Sequence, residues 1–258
     1  MKIVAISDTH NRHKHLTSVG MGNILPDGDL LIHGGDFSGM GHKGEVESFL
    51  KWLVQQAPRY THGIVFIAGN HDISFDPKYG EYDIQDELGI GPKQKPLWLR
   101  GLLATLPSNV RYLENSDVTI DGVKIWGSPI TPWFNGDKWG FNRHRGDDLV
   151  EVWKQIPMDA DVVVTHSPAA YKLDYVPRNA EYTGCEGLRY RLGEVKPLIH
   201  ICGHIHEAYG YDYDYTESET SINYFNASIC NHQYEPVNKP WEIEADFNLR
   251  KISGNFIL

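Results

Sequence analysis

Two aspartates, one asparagine and four histidines stand where short apolar runs break off, and together they form an oxygen and nitrogen donor set suited to divalent cations. Lys2-Ile3-Val4-Ala5-Ile6-Ser7 leads into Asp8-Thr9-His10. Asp29 to His33 leads into Gly34-Gly35-Asp36, and Ile64 to Ala68 leads into Gly69-Asn70-His71-Asp72. Val162 to Thr165 leads into His166, and Leu198 to Cys202 into Gly203-His204-Ile205-His206. In Asp8-Thr9-His10 and His204-Ile205-His206 the polar pair is two residues apart, so an extended chain presents both on one side. Gly69 permits a turn that other residues resist. Any one of these segments is weak, because a single surface Asp or His is more often solvated than ligating. All five together point to one shared metal site.

The elements that must bring them together are also legible. Short runs rich in β-branched residues read as buried strands, and ligands of α/β sheets gather beyond the carboxyl ends of strands. Five such strands side by side would make the seven donors converge. Lys43 to Ala57 reads as an amphipathic helix with Val46, Phe49, Leu50, Leu53 and Val54 on one face, closed by Pro58. A second helix is expected over Leu97 to Leu106, and residues 73 to 96 read as a long surface loop. Val118 to Ile120, Asp121-Gly122 and Val123 to Trp126 carry a hairpin signal. Short helices are expected over Asp147 to Ile156 and Glu186 to Leu192, and a strand over Ser221 to Ala227. No linker or repeat interrupts the pattern, so residues 1–258 read as a single domain.

The net charge of −10 argues against long nucleic acids as partners, since phosphate backbones are bound by basic stripes. Small phosphorylated substrates are still allowed, because bound cations reverse the local sign. No run approaches the roughly 18 apolar residues of a membrane span. The apolar stretch Ile3 to Ile6 meets Asp8 too soon for a signal peptide. Cys185, Cys202 and Cys230 form no CxxC pair and read as reduced thiols. A cytoplasmic protein without a membrane partner is expected, which makes the sequon Asn226-Ala227-Ser228 a coincidence.

The ordered set Asp-x-His, Gly-Gly-Asp, Gly-Asn-His-Asp, a lone His and Gly-His-x-His resembles the calcineurin-like metallophosphoesterase superfamily from Asp8 to His206. Gly127-Ser128-Pro129, Pro132-Trp133-Phe134, Trp139-Gly140-Phe141-Asn142 and Glu207-Ala208-Tyr209-Gly210 are similar to its metallophosphoesterase-domain-containing branch. The resemblance implies an α/β fold, a four-layer α/β/β/α sandwich of two mixed sheets flanked by helices, and a two-metal hydrolase. It implies a first ion on Asp8, His10, Asp36 and His206, and a second on Asp36, Asn70, His166 and His204, with Asp36 bridging. Some members of the branch lack the first His of the last motif; His204 is present here.

Two divalent ions about 3.5–4 Å apart can hold a bridging hydroxide as nucleophile together with the phosphoryl oxygens. In that reading His71 is the general acid and Asp72 orients its imidazole; a structural turn residue is the plainer alternative for His71. The donor set suits manganese, iron, zinc or magnesium, and the resemblance implies manganese. Arg12, Asn142 and Arg143 are candidate phosphate contacts, each equally readable as an ordinary surface or core residue. Trp133, Phe134 and the Trp139 segment would stack a nucleobase or aryl group, or simply fill core. His33 is expected to support the site by a hydrogen bond, His200 to be a core residue, and His13 and His232 to lie at the surface. The leading function is a phosphodiesterase acting on small or cyclic nucleotide-like diesters. The rivals are a phosphomonoesterase or protein phosphatase, a nuclease, and a scaffold that kept the fold without catalysis.

Overall fold

The computed structural model describes residues 1–18, 24–82, 93–214 and 221–254. Four strands, β1 (Lys2–Ile6), β2 (Gly28–His33), β3 (Tyr60–Phe66) and β4 (Val110–Tyr112), run parallel in one six-stranded sheet. In the second sheet β5 (Ser116–Ile120), β6 (Val123–Ser128), β7 (Val162–Thr165), β8 (Ile199–Cys202), β9 (Gly210–Tyr213) and β10 (Asn223–Asn226) lie in the order β9-β10-β8-β7-β6-β5. Its four central strands are parallel, and β5 and β9 are antiparallel edges. β11 (Trp241–Asp246) and β12 (Lys251–Ser253) complete the first sheet as β12-β11-β1-β2-β3-β4.

Side-chain alternation along each strand explains the layers. Ile3, Ala5, Leu30, Ile32, Val65 and Ile67 share one buried cluster with Ile125, Val162, Val164, Ile199, Ile201 and Phe225, so the sheets pack face to face. The intervening residues point outward under helices. On α1 (Lys43–Gln56), Phe49 meets Phe66 with ring centroids 5.9 Å apart. On α3 (Asp147–Trp153), Trp153 meets Trp126 at 6.3 Å, beside α4 (Glu186–Val195). The four-layer sandwich of two mixed sheets is therefore the fold, and covering both faces of each sheet is why its strands read as unbroken apolar runs.

Some local expectations need correction. The five motif-bearing strands do not lie side by side: β1, β2 and β3 belong to one sheet, β7 and β8 to the other. Val54 is exposed while Trp52 is buried, so the inward face of α1 is rotated from the expected one. α2 (Leu97–Ala104) stops before Leu106, α3 stops at Trp153, and α4 runs on to Val195 before Lys196 turns left-handed at φ 52°. The 73–96 segment holds two short 3-10 turns and a two-residue pairing of Glu81–Tyr82 with Lys93–Gln94; residues 83–92 lie outside the described residues. His13 is buried against Phe49 and Trp52 and is not at the surface. The hairpin is as expected, with Asp121 and Gly122 both at positive φ, as its tight turn requires.

Candidate metal centre

The carboxyl ends of β1, β2, β3, β7 and β8 meet where the two sheets are joined. Ser7 bridges to Ser228, donating to the Ala227 carbonyl at 2.7 Å and accepting from Ile229 at 2.8 Å. Past each strand the backbone bends sharply: Asp8, His10, Asp36 and His204 all sit at positive φ, between 37° and 68°. Such conformations are uncommon outside glycine, though Asp and His adopt them more readily than most, and they persist where surrounding contacts hold them. Here Asp8 donates its amide to Gly35 and His10 donates to Asp36, so the first two motif loops brace each other. His33 adds to this brace, accepting from the Gly35 amide and bonding the Thr9 hydroxyl at 3.1 Å.

The side chains then converge. Asp8, His10 and His206 form one group that could hold a cation, and Asp36, His166 and His204 form another. His206 Nε2 lies 3.2 Å from Asp8 Oδ1 and 3.2 Å from His10 Nε2. His166 Nε2 lies 3.2 Å from Asp36 Oδ2 and 3.1 Å from Asn70 Oδ1. Asp36 Oδ2 is also 3.9 Å from His10 Nε2, so this one carboxylate faces both groups.

The donor set fits divalent cations for a reason visible in the hydrogen bonds. His10, His166 and His206 each donate Nδ1–H to a backbone carbonyl, those of Ser38, Gly34 and Asn231 respectively. A carbonyl can only accept, so one proton stays on Nδ1 and Nε2 turns to the centre, where a cation replacing any second proton would find its lone pair. Burial opposes ionisation of Asp8, yet the hydrogen bond and charge of His206, with His166, hold its carboxyl well below the usual range. Burial likewise opposes ionisation of Asp36, and the charges of His166 and His71 outweigh it. Burial pushes His10 down to about 4 and His204 to about 3, leaving both as neutral donors. Against its own burial, His166 is raised to about 9 by the charge of Asp36. The result is two buried carboxylates whose counter-charges are the His166 and His206 rings, and a bound cation would take the place of those protons.

The glycines of the motifs matter through space. Gly69 is not at positive φ; its role is close approach, since a Cβ there would lie 2.3 Å from Asp36 Oδ1. A Cβ on Gly203 would lie 2.0 Å from Asp8 Oδ2 and 2.2 Å from Ser7 Oγ. Gly203→Ala is therefore expected to displace the Asp8 carboxylate and cost about 1–3 kcal/mol of stability. Chemical denaturation and metal titration check this, and wild-type values in both would contradict it.

His71 lines the cleft beside Trp139, with ring centroids 4.4 Å apart, and donates its own Nδ1–H to the Gly39 carbonyl at 2.6 Å. Asp72 does not orient it. That carboxylate turns inward, accepting from the Gly69 amide and from the Ser38 amide and hydroxyl, and so ties the Asn70 turn to the Asp36 loop. Burial and the charge of Asp36 raise Asp72 to about 8. Asn142 is no phosphate contact either: its amide is used internally by Thr131, Phe134 and Gly136. Arg12 is exposed and Arg143 donates to the Asn142 carbonyl; neither lines the cleft.

The cleft holds about 260 Å³ and is lined by Asp36, Asn70, His71, His204 and His206, with Phe134, Asn135, Trp139, Glu207, His232 and Tyr234 around them. Phe134 packs edge-on against His204 at 4.9 Å and lies parallel to Trp139. Trp133 turns away onto His144. His232 is exposed, as expected, yet lines the cleft. Sequence reading missed Tyr234, which sits in a loop with no periodicity to mark it.

A sandwich of two mixed sheets with an Asp/His cluster beyond the carboxyl ends of its strands defines an α/β protein with a candidate metal centre. This chain belongs to the calcineurin-like phosphoesterase family, whose profile matches residues 1–208. It is 39% identical over 247 residues to Metallophosphoesterase domain-containing protein 1 of Homo sapiens, spanning 94% of this chain and 70% of that protein. The Mus musculus protein of the same name matches to the same extent. Among solved structures, TT1561 of Thermus thermophilus shares the fold with a TM-score of 0.55 over 99% of both chains, at 13% identity. Membership makes the protein a metal-dependent phosphoester hydrolase. No helix among the described residues is long and apolar enough to cross a membrane.

Proposed function

We propose that the protein is a phosphodiesterase acting on small diesters, nucleotide-like ones included, with a pair of divalent cations sharing Asp36. Asp8, His10, Asp36 and His206 would hold the first, and Asp36, Asn70, His166 and His204 the second. Bound there, the ions supply Lewis acidity toward phosphoryl oxygens and activate water as nucleophile near neutral pH. A carboxylate, amide and imidazole set without thiolate suits manganese, iron, zinc or magnesium, and manganese is the proposed ion on the family resemblance.

The chain's own groups do the rest. His71, anchored at Nδ1 by the Gly39 carbonyl, offers Nε2 to the cleft and delivers a proton to the leaving oxygen. Trp139 and Phe134 form an apolar wall beside it against which an ester substituent packs.

The observation that favours a diester is the lining itself. It contains Glu207 and, among the described residues, no Lys or Arg. The cations supply the positive charge for either ester; a monoester carries about 1.5 to 2 negative charges at pH 7 and finds no cationic side chain to hold the excess, whereas a diester carries one charge and two organic arms. With added Mn²⁺, bis-aryl phosphate is expected to turn over at least about tenfold faster in kcat/KM than mono-aryl phosphate, a gap of roughly 1.4 kcal/mol. The opposite order would move the reading to a phosphomonoesterase. We place the protein in a reducing, cytoplasmic setting, consistent with three buried free thiols.

A further inference from the structure

The loop from Cys230 to Pro236 carries an arrangement that the proposed chemistry does not use. Tyr234 is a bulky aromatic held at φ 60°, a left-handed conformation that such residues rarely adopt. A compact turn enforces it. Tyr234 donates its amide to the Asn231 carbonyl at 2.9 Å, and Asn231 donates to the Glu235 carbonyl at 2.9 Å. Asn231 Oδ1 accepts from the amides of Gln233 and Glu235, which closes the turn from the side-chain end.

The same Asn231 carbonyl accepts the Nδ1–H of His206 at 2.9 Å, and the Cys230 amide donates to the Asp8 carbonyl. The strained turn is therefore fastened to two residues of the first cation group. Its product is a ring laid over that group. Tyr234 meets His10 at 4.8 Å and 84°, and His206 at 5.4 Å and 82°, while reaching His71 at 6.1 Å. The other half of the cleft has a different cover, with Phe134 against His204. Tyr234 is 45% exposed and adds little to the core, so burial does not explain a strained backbone here.

We propose that Tyr234 is a positioning residue that covers the first cation site, fixing the His10 and His206 rings and slowing escape of that ion but not of its neighbour. The proposal rests on the two-cation reading above. Residues that orient ligating imidazoles typically change metal affinity by about 10–100-fold, and Tyr234 acts on two of them at once.

The test is release of Mn²⁺ from the loaded full-length protein into excess chelator, followed by stopped flow and by metal analysis. Tyr234→Asn removes the ring but keeps a residue that tolerates the left-handed backbone. It is expected to speed release of one of the two ions by about tenfold or more and leave the other unchanged. Tyr234→Phe, which keeps the ring, is expected to match wild type. In a His10→Ala background, with the first site crippled, Tyr234→Asn is expected to change nothing. Unaltered release in Tyr234→Asn, equal acceleration of both ions, or Tyr234→Phe behaving like Tyr234→Asn would each overturn the proposal while leaving the phosphodiesterase reading intact. A wild-type protein that retains no ion would overturn both.

Discussion

Asp36→Ala is expected to abolish cation binding at both positions and to lower kcat/KM by at least roughly 10³-fold, the several kcal/mol that bound cations contribute. The reason is the position of this one carboxylate. Its Oδ2 lies 3.2 Å from His166 Nε2 and 3.9 Å from His10 Nε2, so it faces both groups. Its Oδ1 accepts the backbone amide of His71 at 2.8 Å, so the His71 loop hangs from it too. Replacement also takes from His166 the largest charge that raises its pKa, leaving the Asp8 charge and the Gly34 carbonyl against its burial. Metal analysis after dialysis, steady-state kinetics and circular dichroism together separate site loss from unfolding. A folded Asp36→Ala protein that keeps two ions would show that the two groups do not share this residue.

His71→Ala is expected to behave differently: both ions stay, and turnover falls by about 10²–10⁴-fold for diesters with alkyl leaving groups. An aryl leaving group departs without a proton, so its hydrolysis should be nearly spared. The split between the two substrates is the signature of a proton donor. It also decides between two roles that the geometry allows, because His71 lies close enough to His10 and Asp36 to be counted with them as a ligand. Loss of one ion in His71→Ala would assign it as a ligand, and full alkyl-diester activity would remove it from the chemistry.

Much of this site is legible in the sequence. Strands buried on both faces appear as short apolar runs, and their carboxyl ends are where α/β folds place ligands. Asp8, His10, Asp36, Asn70, His166, His204 and His206 could thus be picked from five run-ends, and the structure brings all seven together. Their division between sheets was not legible, because a strand buried in either sheet has the same composition. Nor was the role of Asp72. Adjacency to His71 suggested contact, but the turn sends the two side chains apart, one to the Gly39 carbonyl's side of the cleft and the other inward to Ser38 and Gly69. Asn142 sits near the cleft in sequence terms, yet its amide is satisfied by local carbonyls and Thr131. Tyr234 was invisible for a third reason: only its backbone angle and its ring contacts with residues far away in the chain set it apart.

Anomalous diffraction from Mn²⁺-loaded crystals tests most directly whether distant segments build one dinuclear centre. Two peaks are expected per chain, both touching Asp36, one completed by Asp8, His10 and His206 and the other by Asn70, His166 and His204. A single peak, or manganese bound anywhere else, would contradict it.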